Sequence, residues 1–204
     1  ATRNAVAMAY VVPERFQELV GRGLELGESR ILAGMHSPLD VVSGRILGQA
    51  SAVGNIYAAP QATRDAARNQ AQQTLMAAVG ATTHAQFLAF AHSQGTAQDR
   101  FADAATNRSE YARRLVYGFT PIGDTTRPAV VPKGAEVLLE TRLPYLSDAQ
   151  RRVVLKTTAI PSGYPVLDDP EGWGRLNLFA AGDGYGAFSG NVVVNMDASK
   201  GGFN

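Results

Sequence analysis

Residues 29–44 read Ser-Arg-Ile-Leu-Ala-Gly-Met-His-Ser-Pro-Leu-Asp-Val-Val-Ser-Gly. A helix carrying Arg30 ends at Ala33-Gly34, and a new one starts at Ser37-Pro38-Leu39-Asp40. The start is strongly marked, with Ser as N-cap, Pro at the first helical position and a carboxylate at the third. Leu39, Val42, Ile46 and Leu47 then recur at helical spacing and predict the packed face of a helix over 38–57. The stretch also holds three ionisable groups, Arg30, His36 and Asp40, within eleven residues. Asp40 lies one turn beyond His36, where its carboxylate can reach an imidazole N–H, fix the tautomer and raise the basicity of the other ring nitrogen. Arg30 offers a planar fork to a tetrahedral oxyanion, and the free N–H groups at the start of the 38–57 helix favour an anion. The plainer reading is that Ser37 and Asp40 only cap a helix, Arg30 is solvated and His36 fills a loop.

Working outward, most of the first 117 residues predict helix. Ala5 to Val12 gives a buried turn or two, and Pro13-Glu14 suits a helix start. Phe16, Leu19, Val20 and Leu24 mark a helix over 13–33. Residues 60–79 are Ala/Gln-rich with high helix propensity, and helices follow over 83–91 and 97–116, the latter with Phe101, Ala105 and Leu115 inward. Gly118 to Gly134 carries Pro121, Pro128 and Pro132 and predicts a long connection. Short helices are expected over 134–142 and 147–157, the second capped at Ser147-Asp148, with another near 174–181. Val192-Val193-Val194 is the one convincing strand. The expected class is mainly α, a helical bundle with an irregular Gly/Pro-rich C-terminal region. It divides into a helical core over 1–117 and a loop-rich extension with short helices over 118–204, packed on that core.

Composition narrows the function. The 204 residues carry 19 Lys+Arg, 18 Asp+Glu, 3 His and no Cys. Balanced charge with no basic face argues against nucleic acid, and no apolar run reaches the ~18–20 residues of a membrane span. Without Cys there is no thiolate nucleophile, disulfide framework or Cys-based zinc site.

The spacing Ser29-Arg30, five residues, His36, three residues, Asp40 resembles the third motif of the type-2 phosphatidic-acid phosphatase superfamily, with Ala33-Gly34, Pro38 and Gly44 in its usual company. That superfamily includes bacterial class A non-specific acid phosphatases, lipid phosphatases and vanadium-dependent haloperoxidases. Val12-Pro13-Glu14-Arg15 and the region Leu138 to Gly184, especially Arg175 to Gly182, are similar to the soluble secreted phosphatase branch. The resemblance implies hydrolysis of phosphate monoesters in a helical fold, with a broad substrate range and a periplasmic or secreted setting. By the same resemblance His36 attacks phosphorus to form a phosphohistidine, Asp40 orients it, and Arg30 holds the phosphoryl oxygens, with Ser29 also part of the phosphate-binding set. No metal is expected unless vanadate is bound. In the haloperoxidase alternative His36 ligates vanadium, whereas in a third reading the chain is a catalytically silent helical binding module.

The family has two further motifs, Lys, six residues, Arg-Pro, and Pro-Ser-Gly-His, whose His protonates the leaving group. Neither precedes Ser29. Arg127-Pro128 occurs downstream with Thr120 where Lys is needed, and Pro161-Ser162-Gly163 with Tyr164 where His is needed. Both suit ordinary turns. The motif order therefore sets the expectation that Ala1 lies just downstream of the missing motif, and that a companion N-terminal segment or self-association completes the site.

The remaining candidates read as structural. His84 and His92 lie roughly on one side of a helix with no carboxylate at ligand spacing. Asp168, Asp169 and Glu171 read as an acidic turn, and Gly182 to Gly186 as a helix stop. Asn107-Arg108-Ser109 is a glycosylation pattern inside a predicted helix, and Trp173, Phe179 and Tyr185 read as packing.

Overall fold

The computed structural model describes residues 1–184, and within them the chain is mainly helical. Helix α1 (Thr2–Val11) leads through a 3-10 turn, Pro13–Arg15, into α2 (Phe16–Leu32) and then α3 (Pro38–Ala58). These are followed by α4 (Gln61–Ala78), α5 (His84–Ala91) and α6 (Ala104–Val116), a second 3-10 turn at Ala135–Leu139, α7 (Asp148–Thr157) and α8 (Leu178–Gly182). The expected strand at Val192-Val193-Val194, and Tyr185, lie outside the described residues.

Three helices frame the site, and small residues set their spacing. Gly27 of α2 lies so close to α3 that a Cβ there would come within 2.9 Å of the Val41 side chain. A Cβ on Gly48 of α3 would meet the Thr2 Cβ of α1 at 2.8 Å. Larger side chains at either position would push the helices apart. On the inner face of α2, Phe16, Val20 and Leu24 are buried against Val6, Ala9 and Tyr10 of α1 and Val42, Ala52 and Val53 of α3. Each such burial contributes roughly 1.5–3 kcal/mol.

Helix α3 departs from expectation in how it is turned. Val42 is buried and Ile46 half-buried, but Leu39 is 45% and Leu47 68% exposed. The small-residue face with Val41 and Gly48 is taken by α2 and α1. The second buried strip is Val42, Arg45, Gln49, Ala52 and Ile56. The two leucines fall between these contacts.

The later elements pack on this frame, and Tyr111 and Leu115 of α6, Leu138 and Leu139 of the second 3-10 turn, Val154 and Leu155 of α7, and Phe179 of α8 join one core cluster. Helix α6 begins seven residues later than the pattern predicts. Asp103 caps it by accepting from the Ala105 and Thr106 amides, while Asp99 is drawn aside to pair with Arg15 at 2.7 Å. Ala105 accordingly is exposed. Helix α8 starts only at Leu178, where the Asn177 side chain accepts from the Ala180 amide. The predicted helix over 13–33 is split by Pro13 into the 3-10 turn and α2, and that over 134–142 is the five-residue 3-10 turn. Helix α4 buries no side chain of its own, so propensity and polar ties to α1 and its neighbours sustain it.

Candidate active site

The sharp turn between α2 and α3 is made by Gly34, which has φ 67°, a left-handed conformation costly for residues with a Cβ. The Met35 and His36 amides then both donate to the Arg30 carbonyl, at 3.0 and 3.2 Å. This pins the backbone of His36 against the last turn of α2 and brings it beside Arg30.

On the far side of the turn the expected cap is present in full. The Ser37 hydroxyl accepts from the Asp40 amide at 3.2 Å, and Asp40 Oδ2 accepts from both the amide and the hydroxyl of Ser37 at 3.0 Å. The backbone and side-chain hydrogen bonds from Ser37 hold the Asp40 carboxyl below the usual range, with a smaller contribution from His36. His36 Nδ1 stands 3.9 Å from the same Oδ2. That is ion-pair distance; a hydrogen bond needs about 3 Å. The oxygen that faces His36 is thus the one that caps the helix, and the plainer reading of Asp40 as a cap is correct.

Arg30, His36 and Asp40 line a single cleft of about 330 Å³ between α1, α2 and α3, with Gly23, Gly27, Val41 and Gly44 in its floor and walls. The His36 side chain is about half exposed. Ser29 is placed differently: its hydroxyl donates to the Leu26 carbonyl at 2.8 Å, within its own helix, and it is not among the cleft's lining residues. Leu26, which lines the cleft, and Leu32, Met35 and Leu39 in the same stretch of chain are exposed apolar side chains.

Sequence reasoning missed one residue here, Arg45. It lines the same cleft, is 2% exposed, and donates from Nη2 to the Gly174 carbonyl at 3.0 Å. A charged residue two turns into a helix ordinarily reads as solvated. Its position one turn after Val41 and Val42, on the strip that continues to Gln49, is the signal that was available.

The downstream motif look-alikes do meet in space, but as a backbone knot. The Ser162 hydroxyl donates to the Asp124 carbonyl and accepts from the Arg127 amide. Asp168 takes the Arg127 guanidinium at 2.6 Å, and Arg175 donates to the carbonyls of Arg127, Pro128 and Ile160. Asp169 accepts from the amides of Glu171, Gly172, Trp173 and Gly174. Asp168 and Asp169 are thus committed to winding this loop, and none of these residues lines the cleft. No group of His, Asp and Glu among the described residues is arranged to hold a metal ion.

His84 and His92 do find carboxylates, supplied by a distant segment. His84 Nε2 is 2.7 Å from Oε1 of the buried Glu14, and His92 lies 2.9 Å from the Glu14 carbonyl and 3.5 Å from Glu18. They fasten α5 to the Pro13–Arg15 turn. The Asn107 side chain in α6 donates to the Phe101 carbonyl just before that helix, and Phe179 packs its ring 5.5 Å from that of Tyr111.

No family model matches the chain, and no solved structure does. Among curated proteins, a non-specific acid phosphatase of Salmonella typhi is 44% identical over 48 residues, which are 24% of this chain and 19% of that protein. A non-specific acid phosphatase of Salmonella typhimurium is 46% identical over 47 residues, 23% of this chain and 19% of the relative. An extracellular serine protease of Serratia marcescens is 36% identical over 77 residues, 36% of this chain but 7% of the protease. The match thus spans about a fifth of each phosphatase. Over that stretch the chain is similar to non-specific acid phosphatases. No helix among the described residues is long and apolar enough to cross a membrane.

Proposed function

We propose that this chain carries the nucleophile side of a phosphate-monoester hydrolase. The observation that carries the reading is the convergence of Arg30, His36 and Asp40 on one cleft, at the spacing of the phosphatase motif. The partial identity with two acid phosphatases supports it.

The chemistry follows from which imidazole nitrogen faces which neighbour. Nδ1 is turned to Asp40, which leaves Nε2 as the attacking atom. Asp40 stabilises the proton on Nδ1 as positive charge builds on the ring. Nε2 bonds to phosphorus, the ester P–O bond breaks, and the leaving oxygen takes a proton from a general acid. Water then attacks the phosphohistidine and releases inorganic phosphate. Arg30 supplies two parallel donors to the equatorial oxygens as negative charge concentrates there.

The described residues lining the cleft include no second histidine and no free carboxylic acid near His36. We assign the general acid and the remaining phosphate donors to a companion segment, or to a second copy of the chain, seated on the exposed side chains of Leu26, Leu32, Met35 and Leu39. Losing a general acid typically costs ~10²–10⁴ in rate, so activity belongs to the completed assembly. An exported setting, periplasmic or secreted, is in keeping with the similarity to an extracellular protease of Serratia marcescens.

Orthovanadate has the shape and charge of phosphate, so the same groups would hold it, with His36 Nε2 as ligand and Arg30 on its oxygens. Bound vanadate would supply peroxide activation.

The test is alkaline-quench labelling with a ³²P-labelled aryl phosphate on the chain together with any co-purifying segment. An acid-labile, base-stable phosphoryl adduct on the parent, and neither adduct nor turnover with His36→Ala, is the expected result. Turnover retained by His36→Ala removes the nucleophile assignment. A parent that neither turns over nor binds phosphate or orthovanadate, companion included, leaves a silent helical module.

A further inference from the structure

Arg45 is a buried cation without a counter-ion. Its side chain is inside the protein at 2% exposure, no carboxylate of the described residues lies within ion-pair distance, and Nε and Nη1 have no hydrogen-bond partner. Placing a charge in such surroundings is costly. The groups that sense it are Tyr111 and Tyr117 of the α6 segment and Asp169 of the C-terminal loop. The Asp169 carboxylate is already occupied by four backbone amides. Burial draws the Arg45 pKa downward, yet a guanidinium stays charged at any working pH. One turn further along α3, Gln49 is fully buried with both ends of its amide unpartnered, so the polar strip extends behind the cleft wall.

The cleft that Arg45 lines has Asp40 as its one side-chain carboxylate, against Arg30, Arg45 and His36. A fixed charge in a low-dielectric wall projects its field into the adjoining cavity, because there is little solvent to screen it there. We infer that Arg45 is a specificity-determining residue that selects a doubly charged tetrahedral oxyanion over a singly charged one, favouring phosphate monoesters over diesters. This rests on the oxyanion reading of the cleft given above. Arg45 acts through its field and through the Gly174 contact that holds it in place. Arg30, at the mouth, makes the direct contact.

Field and fit are separable by charge. Because the interaction scales with ligand charge, removing Arg45 should weaken a dianion about tenfold and a monoanion about threefold. The experiment is calorimetric titration of the full chain, together with any co-purifying segment, with inorganic phosphate above pH 7.5 and with dimethyl phosphate, for the parent, Arg45→Met and Arg45→Lys, alongside Arg30→Ala. Arg45→Met should lose about ten times its phosphate affinity and about three times its dimethyl phosphate affinity, with Arg45→Lys near the parent. Its thermal midpoint should be no lower than the parent's, since an unpaired buried charge has been replaced by an apolar chain of similar length. A structural bracket would instead lower the midpoint and leave the ratio of the two affinities unchanged, and that result overturns the inference. So does Arg45→Met binding both ligands like the parent while Arg30→Ala does not, which leaves the oxyanion reading standing. If the parent binds neither ligand, the oxyanion reading fails and this inference with it. Should Arg45→Met not fold, Arg45→Gln with Arg45→Lys gives the same comparison, the loss of charge selectivity in Gln alone being the supporting result.

Discussion

His36 Nδ1 and Asp40 Oδ2 stand 3.9 Å apart, and that oxygen already accepts two hydrogen bonds from Ser37. The carboxylate that would orient the nucleophile is therefore held in place by the start of the helix it belongs to.

Asp40→Asn keeps the shape and one accepting oxygen but removes the charge that stabilises the imidazolium. In the catalytically competent assembly turnover should fall on the order of 10–100-fold, the usual cost of losing an orienting partner. Single-turnover hydrolysis of p-nitrophenyl phosphate measures it. A rate within twofold of the parent assigns Asp40 to capping alone.

Ser37→Ala removes the hydroxyl that receives the Asp40 amide and frees Asp40 to move. Unfolding in urea should show a loss of about 1 kcal/mol, within the ~0.5–2 kcal/mol of N-cap removals. Gly34→Ala should cost about 1–2 kcal/mol, because the left-handed turn now carries a Cβ. If the double variant shows the sum of the two losses, cap and turn act independently; a smaller loss shows that they form one unit.

Acid should loosen the attachment of α6 to α2. Burial alone would raise the Glu28 carboxyl, but hydrogen bonds from Arg114 and Arg113 outweigh it and hold it below the usual range. A depressed carboxyl contributes stability above its unfolded pKa, near 4.3, and loses it as pH falls through the folded value. Urea midpoints followed from pH 6 to pH 3 should fall more steeply for the parent than for Glu28→Gln, whose midpoint starts lower. Parallel curves would mean the pair contributes nothing.

What the sequence reveals depends on how local its causes are. The start of α3 is legible because Ser37, Pro38 and Asp40 act within one turn, and the α2–α3 turn because Gly34 stands where the left-handed residue is needed. The beginning of α6 is not, since it depends on Asp99 being taken by Arg15, 84 residues earlier. His84 looks unpaired along the chain because its partner, Glu14, is 70 residues away. The exposed Leu39 and Leu47 and the buried Arg45 share one cause. Periodicity gives the existence of a packed face, but the rotation of α3 is set by Gly27 and Gly48, which let neighbouring helices approach where no large side chain stands. Around the cleft, Arg30, His36 and Asp40 are neighbours because one tight turn joins α2 to α3, whereas the side chain of Ser29 turns back on its own helix.

The short turn at Gly34 has a kinetic consequence. Arg30, His36 and Asp40 fall within eleven consecutive residues, so joining them closes only a small loop, an event of little entropic cost. The Arg45 contact with Gly174 spans 129 residues and requires the whole intervening chain to have been laid down. During folding Arg30, His36 and Asp40 should therefore come together early, as part of a helical hairpin. Arg45 should be locked in place late, so the order of assembly runs from the mouth of the cleft to its buried wall.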